Sequence, residues 1–248
     1  MQVFKVPDSM KKDAKFTYCP GCDHGIANRL VAELIDEMDL KEKTICATSI
    51  GCSVFLYDFL NVDCIEAPHG RAMAVATGAK RARPDHFVFT YQGDGDFASI
   101  GLAESTHAAL RGESITGICI NNTTYGMTGG QMGPTTILGQ KTTTSPMGRF
   151  TETYGYPIHI AEHMALCDGT AYSARVSLDT VAHIKQAKQA LKKAFQVQLD
   201  GLGVGFVEIL ATCPTNWKMT PDESHERVRT EMMGIYPLGV YKDITKAE

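Results

Sequence analysis

The chain has 248 residues, 44% of them hydrophobic, and a formal net charge of −4 at pH 7. This length is sufficient for one large domain with a substantial core. The negative balance, with no basic stripe interleaved with aromatic residues, argues against nucleic acid as a partner. No stretch is apolar for long enough to span a bilayer, and residues 1–8 do not read as a signal segment, so a cytoplasmic location without membrane contact is expected.

Apolar periodicity predicts that helices and strands alternate. The predicted helices cover residues 25–38, 71–81, 97–111 and 180–198, and the predicted strands lie near Ile45, Ile65 and Ile158 and at 86–92, 115–120, 171–176 and 204–210. The 97–111 helix carries Ile100, Ala103, His107 and Leu110 on one face. Such alternation indicates an α/β fold with a doubly wound, mostly parallel sheet, whose ligands bind at the carboxyl ends of the strands. We predict one domain at residues 1–211 and an extended C-terminal arm at 212–248.

Two segments lack this rhythm. Residues 123–150 are rich in Gly, Thr and Pro, and loops of this length in compact domains tend to be functional. We expect an ordered active-site loop rather than a disordered insertion, because several of its side chains would be costly to leave in water: Tyr125, Met127, Gln131, Met132 and Met147. Residues 212–248 show no clear sheet element and are expected to lie over another subunit or over their own domain.

A Gly-Asp-Gly motif at 93–95 follows one predicted strand, and the next strand ends in Asn121-Asn122. Because the intervening helix brings the carboxyl ends of both strands side by side, Asp94 and Asn122 should face each other across a crevice. A carboxylate, an amide oxygen and a backbone carbonyl from the next turn are ligands that Mg²⁺ prefers when it also holds a diphosphate. Gly-Asp-Gly alone also makes ordinary turns. The full order of strand, motif, helix, strand and Asn-Asn resembles that of the thiamine diphosphate enzymes.

Four of the eight cysteines fall at the ends of predicted elements. Cys19 and Cys22 form a CxxC turn before a helix, Cys52 follows the strand at 44–50, and Cys213 follows the strand at 204–210. In a reducing compartment, clustered cysteines more often bind metal than form disulfides. Four thiolates suit either Zn²⁺ or an iron-sulfur cluster, and their spacing does not choose. The predicted place of Cys52, at the same sheet edge as Asp94, favours a redox cluster.

The other cysteines are assigned simpler roles. Cys46 and Cys119 lie within apolar strand patterns and are interpreted as small buried residues. Cys64 or Cys167 could replace one member of the ligand set.

Taken together, the motifs resemble the beta subunit of the 2-oxoacid:ferredoxin oxidoreductases over about residues 15–217. The matching motifs are the CxxC turn, Thr48-Ser49-Ile50-Gly51-Cys52, His69-Gly70-Arg71, Gly93-Asp94-Gly95-Asp96, the segment 121–131 and Cys213-Pro214. Segments 125–131 and 140–144 look closest to members that act on 2-oxoglutarate or branched-chain 2-oxoacids. The pyruvate branch looks less alike there.

The resemblance implies thiamine diphosphate, Mg²⁺ and a [4Fe-4S] cluster as cofactors and coenzyme A as co-substrate. It assigns the cluster to Cys19, Cys22, Cys52 and Cys213, Mg²⁺ to Asp94, Asn122 and the Thr124 carbonyl, and catalytic positions to His69, Met127 and Gln131. His69 could equally be a hydrogen-bonded structural residue, and Arg71 could contact phosphate or substrate carboxylate or only cap local structure. Further cofactor contacts are expected from Thr48, Ser49, Ile50, Gly51, Gly70, Gly93, Gly95, Asp96, Tyr125, Gly126 and Thr128.

The resemblance also implies partners. The chain covers the diphosphate-binding half of a thiamine site, so the carboxylate that activates the aminopyrimidine is expected from an alpha subunit. Gamma and ferredoxin-like delta subunits are candidate further partners, and ferredoxin is the expected acceptor, because the CxxCxxCxxxC run of bacterial ferredoxins is missing. Two alternatives remain open: a non-oxidative thiamine-dependent decarboxylase subunit, and a non-enzymatic zinc-binding interaction module.

Overall fold

The computed structural model describes residues 5–246, and residues 1–4 and 247–248 of the predicted domain and arm lie outside this range. Seven strands form one sheet in the order β2-β1-β3-β4-β8-β7-β9, and β5 and β6 form a separate hairpin. The strands are Thr44–Thr48 (β1), Asp63–Glu66 (β2), Phe87–Gly93 (β3), Thr116–Asn121 (β4), Thr124–Tyr125 (β5), Gln131–Met132 (β6), Thr170–Ser177 (β7), Val204–Leu210 (β8) and Gly239–Asp243 (β9). In the large sheet all neighbours are parallel except β9, which runs antiparallel to β7.

Helices cover both faces of this sheet. The α-helices are His24–Glu37 (α1), Leu56–Phe59 (α2), Ala72–Ala82 (α3), Leu102–Leu110 (α4), Thr151–Tyr154 (α5), Ile160–Ala165 (α6), Val181–Leu199 (α7), Pro214–Trp217 (α8), Pro221–Arg227 (α9) and Met233–Ile235 (α10). Single 3-10 turns occur at Lys41–Lys43 and Cys52–Phe55, and π-helical turns at Asp96–Ile100 and Val228–Met232. No helix in the described part of the chain is long and apolar enough to cross a membrane.

Alternate residues of the central strands enter two separate cores. On β3, Phe87 and Phe89 pack with α1 and α7, whereas Val88 packs with α3, α4 and α6. Both sets are fully buried, as expected for a parallel sheet that is covered on both faces. The predicted α/β fold with a doubly wound, mostly parallel sheet is therefore confirmed.

Two predicted elements differ from the structure. No strand forms near Ile158, where the backbone N–H instead donates to the carbonyl of Pro134 in the long loop at 3.1 Å. The predicted helix at 97–111 begins with the π-helical turn and continues as α4. Its Ile100 and Leu110 face is exposed, and the core is met instead by the face that carries Phe97 and Ala108.

The loop at 123–150 is ordered, as predicted, although not through its methionines. Met147 is 77% exposed and Met127 is 42% exposed, so the prediction that these side chains are buried was wrong. The loop is held instead by Arg149, a buried side chain that donates to several backbone carbonyls, including those of Thr136 and Tyr156 at 2.8 Å each. A single guanidinium thus ties the middle of the loop, at 133–136, to the residues that follow it, at 154–156.

The C-terminal segment folds back on its own domain over its described residues, which is one of the two arrangements the sequence left open. Tyr236 is buried in a small core with Leu210 and Ile137, and its hydroxyl donates to the carbonyl of Thr135 at 2.6 Å. Contrary to the sequence-based expectation, the segment does contain a sheet element, β9. Its antiparallel pairing with β7 closes one edge of the sheet.

Candidate active site

Two cavities lie at the carboxyl edge of the sheet. One, of about 100 Å³, surrounds the Gly-Asp-Gly turn and is called the Asp94 cavity. The other, of about 440 Å³, contains the CxxC turn and Cys213 in its wall and is called the cysteine cavity. The two cavities share five lining residues: His24, Cys52, Asn122, Gly126 and Met127.

Most of the predicted cofactor residues line the Asp94 cavity. These are Ile50, Gly51, Cys52, His69, Gly93, Asp94, Gly95, Asp96, Asn122, Thr124, Tyr125, Gly126, Met127 and Thr128. Thr48, Ser49 and Gly70 do not line it. Gln131 lies in the hairpin, where its side chain bonds to Thr128.

Asp94 is almost fully buried at the end of β3. Burial raises the pKa of its carboxyl to about 7, while the hydroxyl of Thr135 donates to its Oδ2 and works in the opposite direction. A carboxylate in this position is destabilised unless a cation lies beside it. Asn122 and Thr124 line the same cavity, and Asn122 Oδ1 accepts from the Thr124 N–H at 3.2 Å. This donor set fits a hard cation such as Mg²⁺.

The two glycines beside Asp94 have different local roles. A Cβ on Gly93 would meet no atom within 4 Å, so it would project into open space in a cavity wall. A Cβ on Gly95 would lie 2.1 Å from the ring of Tyr125. Glycine at 95 therefore allows Tyr125 to close over the turn, and glycine at 93 leaves room against the backbone for a ligand.

Asp96 does not act like Asp94, although it lies in the same motif. Its buried carboxylate accepts hydrogen bonds from Ser49 Oγ at 2.8 Å, from the Gly70 N–H at 2.6 Å and from the side chains of His69 and Gln92. These donors come from three separate segments, which follow β1, follow β2 and end β3.

His24 is buried in the wall that the two cavities share, and it was not predicted from the sequence as a site residue. Its Nδ1 bonds to the Tyr91 hydroxyl at 2.8 Å, and its ring stacks on that of Tyr18 at 4.8 Å between centroids. Burial lowers the pKa of His24 to about 4, so the imidazole is neutral at pH 7. The only hint in the sequence was its position two residues after Cys22 of the CxxC turn.

The four predicted cluster ligands all line the cysteine cavity. Burial raises the pKa of Cys22 to about 12 and of Cys52 to about 11, and it also raises the pKa of Cys213. In residues 5–246, no three metal-binding side chains are placed to hold a single ion. Bound cations would offset the cost of ionising the thiols that line this cavity.

The other cysteines lie elsewhere. Cys46 and Cys119 are fully buried on β1 and β4, as predicted. Cys64 is the register partner of Cys46 on β2, and Cys167 is buried after α6. Neither Cys64 nor Cys167 lines either cavity.

Asn216 links Cys213 to the cofactor loop. Its Nδ2 donates to Cys213 Sγ at 3.1 Å and to the Gly126 carbonyl at 2.9 Å. No motif in the sequence singles it out. Arg71, by contrast, pairs with Glu104 and donates to the Ile100 carbonyl at 3.0 Å, which matches its capping interpretation.

Below Asn122, a buried charge network supports the end of β4. Asn121 Nδ2 donates to Glu208 at 2.7 Å, and Arg175 Nε donates to the same carboxylate at 2.9 Å. Glu208 and Arg175 are both fully buried. The network supports the Asn121-Asn122 turn from below. It was not predicted, because the strands that carry Arg175 and Glu208 look apolar in sequence.

An open parallel sheet with ligand-type residues at its carboxyl edge is the architecture of a cofactor-binding α/β domain. Residues 49–209 match the C-terminal TPP-binding domain of thiamine pyrophosphate enzymes. The chain is 42% identical over 226 residues to ketoisovalerate oxidoreductase subunit VorA of Methanothermobacter thermautotrophicus, covering 91% of this chain and 47% of that one. It is 40% identical over 199 residues to 2-oxoglutarate synthase subunit KorB of Methanocaldococcus jannaschii, covering 80% of this chain and 69% of that one.

A solved 2-oxoglutarate:ferredoxin oxidoreductase from Magnetococcus marinus, with 2-oxoglutarate, coenzyme A and succinyl-CoA bound, has the same fold. Its TM-score is 0.76 at 26% identity, covering 98% of this chain and 86% of that one. The chain belongs to the thiamine pyrophosphate enzymes and, within them, to the family of the 2-oxoacid:ferredoxin oxidoreductase beta subunits, as its motifs predicted. It spans about half the length of the VorA relatives that it matches.

Proposed function

We propose that this chain is the catalytic beta subunit of a 2-oxoacid:ferredoxin oxidoreductase. It would take part in the coenzyme A-dependent oxidative decarboxylation of 2-oxoglutarate or a branched-chain 2-oxoacid to acyl-CoA and CO₂, with electrons passing through a [4Fe-4S] cluster to ferredoxin. The observation that carries this proposal is the wall shared by the Asp94 cavity and the cysteine cavity. Relatives named for ketoisovalerate and for 2-oxoglutarate support the substrate class.

In this proposal Asp94, Asn122 and the Thr124 carbonyl hold Mg²⁺ on the diphosphate. The buried carboxylate of Asp94 supplies negative charge where a cation is needed, and the open space beside Gly93 receives the phosphate oxygens. His69 and Met127 border the reactive side of the cofactor. Gln131, which bonds within the hairpin, would act through the shape of that hairpin instead.

Cys19, Cys22, Cys52 and Cys213 are the proposed cluster ligands, because all four line one cavity and Cys52 also lines the Asp94 cavity. When bound, thiamine diphosphate supplies the nucleophilic carbon and the electron sink for decarboxylation, and the cluster supplies a one-electron acceptor. The chain itself would hold the thiamine site and the cluster site on the two sides of the wall that the cavities share.

The partners are proposed from the family to which the chain belongs. An alpha subunit would supply the pyrimidine-binding domain and its activating carboxylate. Gamma and ferredoxin-like delta subunits are candidate members of the same assembly, and ferredoxin is the proposed acceptor. A cytoplasmic location fits this chemistry.

The two alternatives predict different metal contents. A non-oxidative decarboxylase subunit would bind thiamine diphosphate without iron. A zinc-binding module would hold one Zn²⁺ and no thiamine diphosphate. The cavity that the four thiols line shares a wall with the Asp94 cavity, and this position supports a redox cluster beside the cofactor site.

The test is anaerobic purification of the chain together with its neighbouring subunits, followed by iron, sulfide and thiamine analysis. The proposal expects four irons, four sulfides and one thiamine diphosphate per chain, and coenzyme A-dependent reduction of ferredoxin by a 2-oxoacid. A colourless, iron-free complex that binds thiamine diphosphate would support the decarboxylase, and a zinc-bound chain without thiamine would support the interaction module.

A further inference from the structure

The carboxylate of Asp96 is a meeting point for three segments of the site. Ser49 follows β1, His69 and Gly70 follow β2, and Gln92 lies near the end of β3, yet all four donate to this one buried side chain. Asp96 is only 2% exposed, and Ser49 and Gln92 are fully buried. A buried carboxylate that already accepts four hydrogen bonds has few free lone pairs with which to bind an external ligand.

The donors also define which nitrogen of His69 carries a proton. The Gly70 backbone N–H can only donate, and it contacts the same oxygen, Asp96 Oδ1, that His69 Nδ1 contacts. Ser49 Oγ also donates to that oxygen, at 2.8 Å. With Asp96 acting as the acceptor on this side, Nδ1 of His69 must be the donor, which in the neutral imidazole leaves Nε2 with a lone pair.

We propose that Asp96 is a positioning residue: it fixes His69 in the Nδ1-protonated tautomer and aims its free Nε2 at the reacting groups in the Asp94 cavity. His69 lines that cavity and its side chain is 35% exposed, so the ring is accessible from the cavity side. Carboxylates that orient histidines in this way occur behind many functional imidazoles. This inference rests on the proposed function for the identity of the reacting groups, and it revises the expectation that Asp96 contacts the cofactor directly.

Two substitutions separate the parts of this role. Asp96→Ala removes the acceptor completely. Asp96→Asn keeps the shape and one acceptor oxygen; its amide N–H can then be met by Gln92, whose Oε1 has no partner in the described structure. Neither variant replaces one of the proposed Mg²⁺ ligands Asp94, Asn122 and Thr124.

The expected result in the assembled complex is a ten- to hundredfold fall in kcat for Asp96→Ala, the range seen when an orienting partner is lost. The KM for the 2-oxoacid and the affinity for Mg²⁺–thiamine diphosphate should stay unchanged. Asp96→Asn should recover part of the loss. Combining Asp96→Ala with His69→Ala should cost little more than His69→Ala alone, because the two residues act as a unit.

A spectroscopic measurement tests the tautomer independently of turnover. With ¹⁵N-labelled histidine in the oxidised native complex, His69 should show a protonated Nδ1 and an unprotonated Nε2, and this signature should disappear in Asp96→Ala. Glu113→Ala is the matched control, since Glu113 is a buried carboxylate paired with Arg81 and Arg111 away from both cavities. It should change neither the His69 signal nor kcat.

Three outcomes would overturn the inference. They are a His69 whose Nε2 carries a proton, additive losses in the double variant, and a loss of Mg²⁺–thiamine diphosphate affinity in Asp96→Ala as large as that in Asp94→Ala. If the native complex turns over no 2-oxoacid, the proposed function fails, but the tautomer measurement still decides the role of Asp96.

Discussion

Asp23 accepts a hydrogen bond from the backbone N–H of Thr212 at 2.9 Å, across 189 positions of sequence. Thr212 also donates through its hydroxyl to the Gly21 carbonyl at 2.7 Å. These two bonds fasten the CxxC turn to the residue that precedes Cys213. The protein itself therefore brings distant thiols to one cavity, and a bound metal is not the only tie between them.

Removing Asp94 should abolish Mg²⁺-dependent thiamine diphosphate binding while the fold persists. Asp94→Ala deletes the proposed metal ligand, and it also deletes a buried carboxylate whose ionised form is disfavoured by burial, as its raised pKa shows. We expect an affinity loss of about 100-fold or more, with Tm unchanged or slightly raised. Titration calorimetry and thermal melting measure both. The exposed Asp13→Ala is the control, and native-like affinity in Asp94→Ala would rule out the Mg²⁺ assignment.

Cys213 is the most informative of the four proposed cluster ligands. Cys213→Ala should lose or degrade the cluster and stop electron delivery to ferredoxin, because Cys213 lies in the same cavity wall as Cys19 and Cys22. Cys119→Ala is the control, since that thiol is buried in β4 and should affect packing more than iron content. Iron analysis and reduced-cluster EPR of anaerobic protein give the answer.

The ligand set would have to be reassigned if Cys213→Ala kept four irons and a native EPR signal while Cys64→Ala or Cys167→Ala lost them. The positions of these two cysteines outside both cavities argue against that result.

The isolated chain should not turn over any 2-oxoacid. The activating carboxylate and, by the same reasoning, the coenzyme A site are expected from another subunit. Adding the purified alpha subunit should restore coenzyme A-dependent CO₂ release and ferredoxin reduction. Robust turnover by this chain alone would contradict the division of the site between two subunits.

The buried network below Asn122 should be critical for stability. Glu208→Gln removes the buried carboxylate that Arg175, Asn121 and the Ala161 N–H share, while Arg175 keeps its second pair with Glu162. Buried donors left without a good acceptor should cost about 1–3 kcal/mol. Thiamine diphosphate affinity should fall as well, since Asn121 loses its anchor. Glu226→Gln breaks an exposed pair with Arg229 and should lower the melting temperature much less than Glu208→Gln. Equal melting temperatures for the two variants would argue against this role.

The pairing of His225 with Asp23 should make the attachment of α9 depend on pH. The hydrogen bond to Asp23 raises the pKa of His225, with Asp179 adding to the effect and burial and Arg229 opposing it. A raised folded-state pKa means that the added stability is fully present below about pH 6.5 and is lost as the pH rises through the folded value. The Tm difference between native protein and His225→Gln should therefore be largest near pH 6 and small near pH 9. A difference that grows with pH would contradict the assignment.

The sequence by itself determined the family, the parallel sheet and the two motif strands, because these depend on local patterns. Val204–Leu210 has the bounds that its apolar run predicts, and the Gly-Asp-Gly turn follows its strand as expected. The four cysteines that share one cavity were also predicted from the sequence as metal ligands. This was possible because each of them lies in a turn or at the end of a predicted strand.

The tertiary structure decided what depends on contacts between distant segments. Asp94 and Asp96 are acidic residues of one short motif that line the same cavity, and no local pattern predicts that Asp94 accepts from Thr135 whereas Asp96 accepts from Ser49 and Gly70. The strand β9 was also not predictable from local pattern, because its sequence has little apolar alternation. It forms because the open edge of β7 offers hydrogen-bonding groups to it. Side chains such as Arg149 and Thr212 look like surface residues in sequence and become structural only when folding brings backbone groups within their reach.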